Sequence, residues 1–138
     1  MTAMNLAMPA LLFSVLSSSV NAASIDIDTR GFNGHTNGND LVTAWNNQTS
    51  AINTNSVAEF NFYSPGINTI NRLTAEFSMG SAGTWGFEAG LDAHYGAELY
   101  LDGSLIGERV DDLWWAHNWA NSDVLRAPNH SIAAGTHS

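Results

Sequence analysis

Ala97-Glu98-Leu99-Tyr100-Leu101-Asp102-Gly103-Ser104-Leu105-Ile106 sets two apolar, β-prone runs on either side of an Asp-Gly pair. Both residues of that pair tolerate positive φ, which a two-residue type I′ hairpin demands, so the stretch reads as strand, turn, strand. Pairing Leu101 with Ser104 sets Leu99 opposite Ile106. The same alternation spreads outward on both sides. Upstream, Trp85, Phe87, Ala89 and Leu91 share a face, preceded by Leu73, Ala75, Phe77 and Met79, and by Ala58, Phe60 and Phe62 in Val57 to Tyr63. Pro65-Gly66 turns the chain between two of these runs, and Ser24 to Asp28 alternates near the start. Leu41 to Trp45 reads as a short strand or one helical turn, Gly31 to Asp40 as a turn-forming loop, and Asn46 to Ser56 as polar loop. No helical period of useful length follows residue 22. The expected fold is all-β, an antiparallel β-sandwich.

Composition narrows the function classes. The 138 residues carry 13 acids against four Arg and no Lys, a formal charge of −9, with 44% hydrophobic residues. That hydrophobic content argues for a packed core. The charge argues against nucleic acid and anionic membrane surfaces, which repel an acidic protein. There are no cysteines, so thiol catalysis, thiolate metal sites and disulfides are excluded.

Leu6 to Val20 is an apolar and small-residue run, too short to cross a bilayer core of ~30 Å comfortably. It ends in Val20-Asn21-Ala22-Ala23, with small residues at −3 and −1 of a cut after Ala22. This is the pattern of a secretory leader without its usual basic start. The expected organisation is a signal peptide over 1–22 and a single β-domain over 23–138, secreted, extracellular or cell-surface, with the periplasm as the other address.

Thr84-Trp85-Gly86-Phe87-Glu88-Ala89-Gly90-Leu91-Asp92, followed by Gly96-Ala97-Glu98-Leu99-Tyr100-Leu101-Asp102-Gly103, resembles the middle of the protective-antigen-type β-sandwich of bacterial toxins, glycosidases and yeast flocculins. Three further stretches are Asp111-Asp112-Leu113-Trp114-Trp115, Asn118-Trp119 with Asn121-Ser122-Asp123-Val124, and Ala133-Ala134-Gly135-Thr136-His137. With these included, the chain is similar to the CCXG family of exported bacterial proteins, often carried on PEP-CTERM surface-sorting precursors. The likeness covers about Val57 to Ser138. It implies a jelly-roll-like sandwich, and by analogy with the flocculin lectins a glycan ligand. It also implies a further strand and a Cys-Cys-x-Gly loop beyond Ser138. On that reading the chain is truncated, lacks a C-terminal strand and is open to strand donation from a partner at that edge. Where the flocculin lectins hold calcium with neighbouring Asp residues, His94 and Tyr95 stand here, with Asp92 further back.

The candidate site residues follow from chemistry. Asp111 to Trp119 packs three of the five Trp into one segment. If it is extended, Leu113, Trp115, His117 and Trp119 face the core and Trp114 faces solvent. Indoles stack on sugar C–H faces while Asp, Asn and Tyr groups hydrogen-bond hydroxyls, so Trp114, Asp112, Asn118 and Tyr100 are the expected ligand contacts. Asp92, with Asp102, Asp111 and Asp112, leaves calcium open as a cofactor, since that ion takes six to eight oxygen ligands. The five His residues are scattered without zinc spacing. Adjacent Asp111 and Asp112 would diverge on a strand and cannot act as a glycosidase pair, and no nucleophile elbow exists. The expected function is therefore a non-catalytic surface or matrix binding module. A structural surface protein without a small ligand and an accessory domain of a glycoside-active enzyme are the alternatives.

Overall fold

A computed structural model describes residues 21–32, 40–58 and 66–138. The leader run, most of the Gly31 to Asp40 loop and the Phe60 and Phe62 positions lie outside the described residues. The ten described strands pair antiparallel throughout, with one short helix, so the chain is all-β. No described helix is long and apolar enough to cross a membrane.

The largest sheet has the order β10-β3-β1-β2, where β1 is Asn21–Gly31, β2 Asn53–Val57, β3 Thr69–Met79 and β10 Gly135–His137. Alternation along β1 sorts its two faces. Ile27 is only 1% exposed, and the neighbouring buried Thr29 satisfies its hydroxyl by donating to Asn71 Oδ1 at 2.8 Å. On the opposite face Asp28 stands in register between Thr54 and Arg72, accepting from both at 2.6 Å, and Asp26 accepts from Ser56 at 2.5 Å. These hydroxyl–carboxylate rungs explain why a segment expected as loop becomes β2. The free edge of β1 supplies the ladder, and Thr54 and Ser56 reach carboxylates across it. Leu73, expected inward, is 43% exposed. Among the described residues β10 pairs with Phe77, Ser78 and Met79 alone, so no strand covers that side of β3 at Leu73.

Leu41–Asn46 forms helix α1, the helical alternative for that stretch. Asp40 starts it as the N-cap, its carboxylate accepting from the Thr43 backbone N–H at 2.8 Å. Arg30 of β1 holds the far end, donating to the carbonyls of Trp45 (3.2 Å), Gln48 (2.5 Å) and Ser50 (3.0 Å). The guanidinium groups of Arg30 and Arg72 also lie 5.3 and 4.9 Å from the Trp45 ring centroid, so one buried indole receives two cations.

Strands β4 (Gly83–Ala89) and β9 (Leu125–Ile132) form a second ladder. It breaks opposite Gly86, where Pro128 has no N–H to donate and Asn129 takes a φ of 64°. Phe77 of β3 meets Phe87 of β4 at 6.3 Å, linking the two ladders. The hairpin is β6 (Ala97–Leu101) and β7 (Ser104–Arg109), with Asp102 and Gly103 at φ 50° and 77° as the turn type requires. Leu101 pairs with Ser104 as expected. Leu99, however, faces Gly107 rather than Ile106, because a bulge adds one residue to β7 beyond the Tyr100–Leu105 pair. Leu99 still packs on the buried cluster of Ala97, Leu113 and Leu125, beside Ala89, Leu91 and Ala93. Burial of a Leu side chain contributes about 1.5–3 kcal/mol, so Leu113 and Leu125 anchor the segment described next.

Candidate functional site

Strands β5 (Asp92–Ala93) and β8 (Leu113–Trp114) make a two-residue ribbon in the registers Asp92↔Trp114 and Ala93↔Leu113. The period of two decides its faces. Leu113 is fully buried with Ala93 packed against its cluster, and Trp114 on the other side is 64% exposed, as expected. Asp92 is exposed directly across from the indole. One step further, His94 Nδ1 lies 3.4 Å from Asp112 Oδ1, both exposed. The outer face of the ribbon thus carries Asp92, Trp114, His94 and Asp112.

The Trp segment is not an extended strand past that point. Ala116 and His117 take φ of 53° and 55°, the left-handed region, at about 1–3 kcal/mol each for non-glycine residues. Successive turns follow, with Asn118 N–H donating to Trp115 O (3.2 Å) and Asn121 N–H to Asn118 O (3.0 Å). Trp119, expected in the core, is therefore carried to the surface and is 52% exposed. His117, placed on the same inward face, is exposed as well. Trp115 does turn inward. Its ring lies 4.9 Å from both His117 and Trp119, and a Cβ at Gly90 would collide with the indole, so only glycine fits there. Its Nε1 is buried without a hydrogen-bond partner, a group that costs about 1–3 kcal/mol to leave unmet.

Polar groups that the sequence reading did not single out hold this loop. Asn121 Nδ2 donates to the carbonyls of Trp114 (2.8 Å) and Trp115 (3.1 Å), while its Oδ1 accepts from the Asp123 N–H (2.9 Å). Asp123 Oδ2 accepts from the Trp114 N–H at 3.2 Å. Arg109 forks onto Asp111 at 2.8 and 2.5 Å and donates to Ser122 O at 2.7 Å. That pairing holds the Asp111 carboxyl below its ordinary range and raises the guanidinium. Arg126 donates to Glu88 (3.0 Å), to Asn121 O (3.2 Å) and to Trp119 O. The one sequence signal for these roles is scarcity: two of only four Arg lie in the neighbourhood of the Trp-rich segment.

Comparisons with family profiles, with curated proteins and with solved structures found no match.

The remaining candidates sit apart. Asn118 is exposed on the loop, its Oδ1 accepting from the Ala120 N–H at 3.0 Å. The Tyr100 hydroxyl donates to Glu98 at 2.9 Å, and Glu98 also accepts from the Leu41 N–H at 2.8 Å, which ties Tyr100 to the start of α1. Burial first, then Glu98, pushes the Tyr100 phenol up. The four carboxylates weighed for calcium do not converge on one another: Asp102 binds His137, Asp111 binds Arg109, Asp112 faces His94 and Asp92 faces Trp114. Among the described residues no three or more His, Cys, Asp or Glu group together in a way that could hold a metal ion. The arrangement is an exposed indole on a rigidly built loop, with carboxylates beside it.

Proposed function

We propose that this chain is an exported, non-catalytic binding module of a cell surface or matrix, and that its ligand is a glycan stacked on Trp114. The observation that carries the reading is a large apolar side chain held 64% exposed on a short ribbon whose backbone is pinned by Asn121 and Asp123. Exposing an indole forfeits burial energy, and the two left-handed residues that follow the ribbon, Ala116 and His117, add strain. Such costs gather at sites that bind. Asp92 and Asp112 supply hydrogen-bonding groups on the ring's face of the ribbon. The leader pattern supports export, and a cut after Ala22 would leave the β1 ladder from Ile25 to Gly31 whole. The likeness to protective-antigen-type lectins supports the ligand class by analogy only.

The test is a glycan array probed with the chain and with Trp114→Ala. Retained fold with binding reduced about tenfold or more supports the reading, since tenfold is about 1.4 kcal/mol, the upper end of what an aromatic contact adds beyond area burial. A blank array from a well-folded chain favours a structural surface protein.

A further inference from the structure

Trp114 has a carboxylate on each side. Asp92 is its register partner, which puts the two Cβ atoms about 4.5–5.5 Å apart on one face. Asp112 lies two residues earlier, just before β8, and its contact with His94, two residues past Asp92, puts it on that same side of the ribbon. The Asp92 carboxylate makes no hydrogen bond or ion pair among the described residues. Among the described residues Asp112 pairs with exposed His94 alone, at 3.4 Å.

Every Arg is taken. Arg30 is spent on three backbone carbonyls, Arg72 on Asp28, Arg109 on Asp111 and Ser122, and Arg126 on Glu88 and two carbonyls. The chain has no Lys and a formal charge of −9. A uronic or sulfated sugar would meet two carboxylates and no free guanidinium, and like charges at this range repel. A protonated amine meets the reverse: two carboxylates and the negative face of an indole, which attracts a cation within about 6 Å of its centroid.

We infer that this face selects a cationic amino sugar polymer, glucosamine units with free amines, over neutral and anionic glycans. The inference rests on the glycan reading above and names its ligand class. One pyranose ring lies on Trp114, and the amines of that unit and its neighbours pair with Asp92 and Asp112.

The experiment titrates the chain, in low-salt buffer near pH 7 where the formal charge counts His as neutral, with equal-length oligomers of β-1,4-linked glucosamine, N-acetylglucosamine and galacturonate. The amine oligomer is expected to bind about five- to tenfold more tightly than the acetylated one, and galacturonate not to bind. Asp92→Asn and Asp112→Asn should each reduce that preference, and Trp114→Ala should lose binding of both oligomers; a preference unchanged in both Asn variants overturns the inference. Equal affinity for amine and acetylated oligomers overturns the inference and leaves the glycan reading standing. Amine binding that survives Trp114→Ala also overturns it, because net charge alone then holds the polymer. No binding of any oligomer removes both.

Discussion

At Gly90 a single missing methyl group lets the Trp115 indole lie against the backbone. Gly90→Ala is expected to push the ring outward and lower stability by about 1–3 kcal/mol, the usual range for overpacking. A reduced denaturant midpoint with altered Trp fluorescence would show it; an unchanged midpoint would mean the loop is not anchored there. Arg30 makes a comparable point. Its planar fork reaches three carbonyls at the end of α1 while its face lies against Trp45. Lys keeps the charge and cannot span those acceptors. Arg30→Lys should therefore destabilise by about 2 kcal/mol and weaken the helical signal in circular dichroism, since hydrogen bonds to charged groups are worth about 1.5–3 kcal/mol. A neutral Arg30→Lys would assign the contact to charge alone.

Among the elements, β10 has the clearest chemical control. His137 points Nδ1 at Asp102 Oδ2 (2.8 Å) and Nε2 at the Ala133 carbonyl (3.1 Å), two acceptors, so only the imidazolium satisfies both. Asp102 also accepts from the Ser138 N–H at 3.0 Å and donates its own N–H to Ser138 O at 2.7 Å. The bond from Asp102 raises the His137 pKa, and the same bond lowers that of Asp102. The signs then differ. The His137 contribution is full below its unfolded value near 6.5 and is lost as pH rises through its higher folded value. The Asp102 contribution is present above its unfolded value near 3.8 and is lost as pH falls through its lower folded value. Amide protection at residues 135–138, taken relative to the intrinsic exchange rate at each pH, should be greatest between those limits and fall on either side. Asp102→Asn should remove most of that dependence. A flat profile in the unsubstituted chain would show that the backbone ladder to Phe77, Ser78 and Met79 holds β10 without the clasp.

For the molecule as a whole, 13 acids against four Arg make self-repulsion a standing term. Screening shortens from about 30 Å at 0.01 M salt to about 8 Å at 0.15 M, so added sodium chloride should raise the melting temperature, by ~4 °C for each kcal/mol of repulsion relieved. The exposed pairs Arg72–Asp28 and Arg126–Glu88 would weaken together, but each is worth at most about 1 kcal/mol. A melting temperature that falls with salt would mean that the ion pairs outweigh the repulsion. Alternation and turn chemistry were enough to determine the all-β class, the Asp102-Gly103 hairpin and the solvent side of Trp114, because each depends on residues next to one another in the chain. Only the tertiary structure placed Asp92 beside Trp114, since strand register joins residues far apart in sequence. It also decided that Trp119 lies outside. The strand ends where Ala116 and His117 adopt left-handed φ, and neither residue type prefers that region. Hydrogen bonds from Asn121, Arg109 and Arg126 to carbonyls within the same stretch of chain surround the turn, and they form only once the loop has folded back on itself.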